Sequence, residues 1–465
     1  MLQREWSKGR GRRIRVAGRL LPLVALGWAA AALAAGMLFI PGGEGDGPSL
    51  NAAVSADGRY VAFASDAANL VSDDDNGLRD VFLHDTQTGD TVRISVAHDG
   101  NDADDASDWP SISADGRYVA YQSFASNLLL IDNNMEPDIF VYDRQTGATT
   151  RASLTSEGNP AAGASFEPAI SADGRFVAFA STAINLDPAD DDPAYDVFLH
   201  DRQTGDTELI SFDAAEERGV GFAGAPALSA DGRLVAFSSG SPDLVPNDDN
   251  GLEDIFVRDR QTGQTARVSV DANGAEADGD SYEPSLSADG RYVAFWSYAA
   301  NLVGSDTGGW AGVYVHDRQT GDITLASRAG EDGVADGDSF RPRLSADGRY
   351  VVFESEATNL TGTPDTNQVA DVVIHDRQTG GTALASVGAA GPGDGESLRP
   401  ALSADGGHVA FHSDAANLVA DDGNGVGDVF LRHRAAGTTA RVSLAAAEAE
   451  PPDEMVYLSF VVALD

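Results

Sequence analysis

Cysteine is missing from all 465 residues, and lysine occurs once, as Lys8. The first absence excludes disulfides, thiolate nucleophiles and cysteine-ligated metal. Basic residues in general are scarce: 31 Lys and Arg stand against 73 Asp and Glu, a net charge of −42. Seven of the basic and three of the acidic residues fall in residues 1–48, so the remainder carries 24 (31 − 7) against 70 (73 − 3). A surface so negative repels phosphate backbones, which argues against nucleic acid as a partner. Amphipathic helical stripes of useful length are lacking after residue 48. No Gly-x-Ser-x-Gly elbow occurs, so the nucleophile of an α/β-hydrolase is absent too.

What the chain has is repetition. Ser-Ala-Asp-Gly begins at Ser55, Ser113, Ser171, Ser229, Ser287, Ser345 and Ser403, always 58 residues apart. In the same phase stand Asn69, Asn127, Asn185, Asn301, Asn359 and Asn417, with Asp243 in the fourth copy, and a proline at 110, 168, 226, 284, 342 and 400. Arg-Gln-Thr-Gly recurs at Arg144, Arg202, Arg260 and Arg318, one residue late in the sixth copy at Arg377, and the seventh copy is back in phase at Gly437. A period of this size means one structural unit copied in series. Each unit reads as four strands: a short one entering the tight Asp-Gly turn, an alternating Tyr-Val-Ala-Phe type, an Asp-Val-Phe-Leu-His-Asp type, and a last one after the Thr-Gly turn. The expected fold is therefore all-β, a seven-bladed propeller of four-stranded antiparallel blades over residues 49–444.

Ser-Ala-Asp-Gly-Arg-Tyr-Val-Ala-Phe, then Asp-Val-Phe-Leu-His-Asp and a Thr-Gly turn, resembles the WD40-like repeat of the TolB propeller family, also called PD40. The usual motif of that family has Pro where Ala56, Ala114 and their equivalents stand. The resemblance implies the fold and leaves function open, because propellers host unrelated activities. TolB proteins carry an α/β domain before the propeller and prolyl peptidases carry a hydrolase domain; neither pattern occurs here.

The flanks differ in kind. Residues 1–19 hold Arg4, Lys8, Arg10, Arg12, Arg13, Arg15 and Arg19, and residues 20–40 form an uncharged apolar run long enough to span a bilayer. Basic residues on the near side orient the N-terminus to the cytoplasm, so an N-terminal anchor, or a signal helix if cleaved, is expected to place the propeller outside it. Residues 41–48 read as a linker. Residues 445–465 read as a linker followed by an apolar strand from Met455 to Leu464, expected to seal the ring beside the first blade.

Between the second and third strands, six units carry Asp-x-Asn/Asp-x-x-x-Asp. The positions are Asp74, Asn76, Asp80; Asp132, Asn134, Asp138; Asp190, Asp192, Asp196; Asp248, Asn250, Asp254; Asp365, Asn367, Asp371; and Asp422, Asn424, Asp428. Carboxylates converging on one short loop repel unless a cation sits among them, and hard oxygen donors suit Ca²⁺. The pattern is similar to part of an EF-hand loop without its closing Glu. The alternative is a network of Asx turns. The fifth unit breaks the pattern with Gly308 and Gly312.

Catalytic patterns are few. His84, His200, His316 and His375 end third strands, but Tyr142 and Arg258 take that place elsewhere, which reads as an outward strand position and not a metal cluster. Trp109, Trp296 and Trp310 could stack on sugar rings. The expected function is an extracytoplasmic binding or scaffolding module, monomeric, possessing a protein or glycan ligand of the cell envelope and stabilised by calcium. The alternative is a secreted polysaccharide-acting hydrolase or lyase with its site at the channel mouth.

Overall fold

The computed structural model describes residues 43–446 apart from 131–133, 189, 191–192, 213–220, 305–306, 331–332, 363–364 and 366. The expected N-terminal helix and the apolar C-terminal strand lie outside the described residues, as do Asp132 and Asp192. Among the described residues no helix is long and apolar enough to cross a membrane.

Seven four-stranded antiparallel sheets follow one another, each built from consecutive strands in the order inner, second, third, outer. Blade four, typical of the rest, runs Ala223–Leu228, Leu234–Ser239, Asp254–Asp259 and Gln264–Arg267. Its two central strands pair without interruption, from Leu234↔Asp259 to Ser239↔Asp254. Alternation along these strands puts Val235 and Phe237 towards one neighbouring blade and Ala236 towards the other. Both faces are thus buried, and Phe237 and Phe256 are fully inaccessible, their rings 5.8 Å apart. Each such side chain contributes roughly 1.5–3 kcal/mol on burial.

The ring closes through the same contacts that join every blade to the next. Val61, Phe63 and Phe82 of blade one share a core with Ala410, Val429 and Leu431 of blade seven. Ser49 N–H donates to Gly427 O at 2.8 Å, the counterpart of Ser107 to Arg79 and Ser281 to Glu253. The stretch read as a linker joins the propeller from residue 43 onward. Asn69 holds it with a side-chain donor to Glu44 O and an acceptor for Asp46 N–H, as Asn127 holds the crossover at Asp102 and Asp104. Residues 43–48 therefore serve as the crossover that blade one would otherwise lack, and a short bridge, Glu44↔Leu444, ties this crossover to the end of blade seven.

At the tight-turn end, each Ser-Ala-Asp-Gly loop is fixed by its own side chains: Ser229 donates to Asp231 at 2.7 Å and accepts from Leu234 N–H at 2.9 Å. The alanine joins the blades. Ala56 N–H donates to Ala114 O, Ala114 to Ala172, and so on through Ala404 back to Ala56, a closed ring of seven bonds of 2.8–3.1 Å. Proline at these positions would have no N–H to donate, which gives a physical reason for the departure from the usual family motif.

Candidate functional site at the channel mouth

The acidic loops lie on the opposite face, with the blade crossovers. Their aspartates gather around arginine. Arg267, which ends the outer strand of blade four, contacts Asp248 at 3.0 Å, Asp254 at 3.2 Å and Glu276 at 2.7 Å. Arg93 does the same with Asp74, Asp80 and Asp102, and Arg441 with Asp422, Asp428 and Glu44. In blade two, Arg151 contacts Asp138. A guanidinium thus stands where the sequence reading places a cation. The last aspartate of each set also accepts from a buried serine, as Asp254 does from Ser269 and Asp371 from Ser386. Burial pushes Asp74, Asp248, Asp371 and Asp422 up to about 6.

The asparagines are Asx turns that reach the next blade. Asn76 accepts from Leu78 N–H and donates to Asp80 and to Ala103 O. Asn134, Asn250 and Asn424 repeat this with Ala161, Ala277 and Gly45, and Asn367 reaches Gly393. In blades three and six the arginine is replaced by Leu209 and Leu384, and there the described members are Asp190, Asp196, Asp365, Asn367 and Asp371. Among the described residues no group of three or more His, Asp or Glu is arranged to hold a metal ion.

The strand-end histidines do not point outward. His84, His200, His316 and His375 are buried, and three of them bond a threonine across the strand pair, as His84 Nδ1 does Thr91 Oγ1 at 2.9 Å. Burial lowers the pKa of all four, to about 4 for His84 and His375. One side chain per blade explains why Tyr142 or Arg258 can take the same place.

The residues that converge are on the inner strands, Ser49–Val54, Ser107–Ile112, Ser165–Ile170, Ala223–Leu228, Ser281–Leu286, Ser339–Leu344 and Ser397–Leu402. Together they line a central channel of about 340 Å³. Every inner strand carries a bulge at the residue before its proline position, as between Gly224 and Ala227. That residue has left-handed backbone in all seven blades: Asn51, Trp109, Glu167, Ala225, Glu283, Arg341 and Arg399, with φ of 48–55°. Left-handed backbone in non-glycine residues costs energy and collects at functional sites. The backbone here repeats sevenfold while the side chains do not.

These side chains make several distinct sets of contacts. Arg341 contacts Glu354 at 2.8 Å and Glu283 at 3.6 Å, and Trp296 Nε1 donates to Glu283 at 3.3 Å. Glu167 accepts from Ala225 N–H at 2.8 Å. Asn51 donates to Asp108, which also receives Arg79. Arg399 lies over the Trp109 ring, 4.4 Å from its centroid. Burial raises the pKa of Glu167 and Glu354, and burial with Arg399 and Arg341 nearby lowers His412 to about 4. Around the mouth lie two aromatic clusters. Trp296 packs with Tyr282, Tyr298 and Phe340; Phe124, Phe166, Tyr195 and Phe222 make the other. Trp310 is apart from both and partly exposed. Of the tryptophans singled out in the sequence, two therefore belong to the mouth.

No family model and no curated protein matches the chain. Solved structures do. An oligogalacturonate lyase in complex with manganese superposes with a TM-score of 0.52 at 14% identity, over 83% of this chain and 90% of that one. The β-propeller domain of the Trilobed protease of Pyrococcus furiosus gives 0.52 at 12% over 85% and 95%. TolB from Acinetobacter baumannii gives 0.40 at 17% over 84% and 81%. At such identities the likeness is one of fold. The chain is a seven-bladed β-propeller whose repeat motif is consistent with the TolB-like, PD40 kind.

Proposed function

We propose that the protein is a binding module held outside the cytoplasm, through residues 20–40 or by secretion, that receives a glycan or envelope-protein ligand at the channel mouth. The observation that carries this is the break in symmetry at the seven left-handed positions. A purely structural ring would be served by one residue copied seven times; this one carries Asn, Trp, Glu, Ala, Glu, Arg and Arg on strained backbone. The test is a panel of soluble oligosaccharides and peptides titrated against the purified chain and its Trp296→Ala variant. A ligand whose affinity falls about tenfold or more in the variant supports the reading, given the usual weight of a buried aromatic anchor. Ligands indifferent to Trp296 and Trp109 would overturn it.

The second reading is an enzyme acting on polysaccharide. It is favoured by Glu167 and Glu354, carboxylates of the mouth held above their ordinary range by burial, as a general acid must be. The same oligosaccharides, followed for new chain ends, test it. Calcium is proposed for the loops of blades three and six, where Leu209 and Leu384 stand at the place of the arginine.

A further inference from the structure

The charges of the mouth do not cancel locally. Glu283 and Glu354 are both committed to Arg341, and Glu167 to the backbone of Ala225. Two further guanidinium groups remain. Arg343, also facing the channel, has one hydrogen bond, from Nη1 to the carbonyl of Pro342 at 2.9 Å. Arg399 has only the Trp109 ring. Among the described residues neither has a carboxylate within ion-pair distance, although the chain is rich in acid. At the place of Arg343 the other blades have Ala53, Ser111, Ala169, Ala227, Ser285 and Ala401, so the fold does not need a large cation there. A guanidinium lining the channel with most of its donors unspent within the protein is free to offer them to a ligand, and its planar fork suits a carboxylate.

We infer that Arg343 and Arg399 form an anion site in the channel, and that it takes the carboxylate of an acidic sugar, with the sugar ring against the Trp296 cluster. This rests on the channel mouth being the binding site. The aromatic cluster favours a sugar over a peptide terminus, because Tyr298 is half-exposed beside Trp296 and offers an apolar surface for C–H groups, close to the Glu283 carboxylate that the Trp296 indole N–H holds. The net charge of −42 is no obstacle at contact, since repulsion from the outer loops is screened within about 10 Å at moderate salt.

The experiment is calorimetric titration of the full chain with galacturonate and its oligomers, with neutral galactose oligomers, and with a short peptide bearing a free C-terminal carboxylate. The acidic sugars are expected to bind at least about tenfold tighter than the neutral ones, the worth of one charge-assisted pair. Arg343→Ala should abolish that preference while leaving the weaker neutral binding, and Arg343→Lys should restore part of it. Alanine is the residue of other blades at this position, so folding is not at stake; an unchanged melting temperature checks it. Equal binding of acidic and neutral sugars, or a preference that survives both Arg343→Ala and Arg399→Ala, overturns the anion site while leaving the mouth as a binding site. Binding of the peptide alone overturns the sugar assignment. Loss of all sugar binding in Trp296→Ala, with a charge preference never seen, separates the broader reading from this one.

Discussion

Replacing Arg267 with leucine should cost stability in a way that reveals what the acidic loops are for. Its guanidinium lies 2.7–3.2 Å from three carboxylates. The side chains of Asp248 and Asp254 are 3% and 0% exposed, so neither can turn to water when the cation is gone. Breaking a buried pair from one side costs about 3–5 kcal/mol. The lower end applies, because Asp254 keeps its bonds to Ser269 and Asn250 and Glu276 is partly exposed. With unfolding entropy near 2.1 cal/mol/K per residue over roughly 400 residues, about 3 kcal/mol lowers the melting temperature by about 4 °C. Blade five supplies a partial control, since it carries Leu325 in place of the arginine, Gly308 in place of the asparagine and Gly312 in place of the last aspartate. Arg267→Leu combined with Asp248→Gly and Asp254→Gly removes the unpaired carboxylates as well and should recover much of the loss, and Ca²⁺ should stabilise the single variant more than the triple. Thermal unfolding by circular dichroism measures all three. If Arg267→Leu melts with the parent, or if the triple variant is no better than the single, the arginine is not the charge partner of these loops.

Acid should unfold the protein mainly below pH 4. Arg117, Arg175, Arg291 and Arg349 pair with Asp143, Asp201, Asp317 and Asp376 on the tight-turn face, and hold their carboxyls down to about 2. A carboxyl lowered in the fold contributes stability above its unfolded value of 3.8, and that stability is lost as pH falls from there through 2. Arg175→Gln should move the acid transition upward; an unmoved transition refutes the assignment. Ala230→Pro removes one N–H from the alanine ring and should cost about 1 kcal/mol, whereas Ala230→Ser should cost nothing measurable in denaturant titration; equal effects would mean the ring bond is idle. Removing residues 1–42 should leave the melting temperature of the propeller in place, while removing residues 1–48 should lower it, because Asn69 and Asp66 lose their partners Glu44 and Pro48; identical melting would show that the first blade closes without them.

Most of the fold could be read from the chain because a repeat states each rule seven times. The Asp-Gly turn, the alternating second strand and the Phe pair recur at 58 residues, and a sheet apolar on both faces has few homes other than a radial stack. Two features escaped for a common reason. Residues 43–48 have glycine-rich linker composition, yet they act as a crossover because Asn69 treats their backbone as Asn127 treats that of blade two. The acidic loops show a ligand-like spacing, yet their countercharge comes from Arg93, Arg151, Arg267 and Arg441, 13 residues beyond the last aspartate and across a strand pair. A motif window centred on the aspartates cannot contain that partner.

The mouth was legible in a different way, through variance instead of recurrence. Within each copy the residues that build the turn, the core and the blade contacts stay the same, and the residue before the proline does not: Asn51, Trp109, Glu167, Ala225, Glu283, Arg341, Arg399. Structural demand at that position is uniform, since all seven share a bulge and a left-handed φ. Uniform demand with unlike side chains is the pattern a binding site would leave. The same logic isolates Arg343, the one long side chain among alanines and serines lining the channel. In an internally repeated protein, then, the positions that hold the ring together are those where the copies agree, and the positions proposed to meet a ligand are those where a shared backbone carries five kinds of side chain in seven copies.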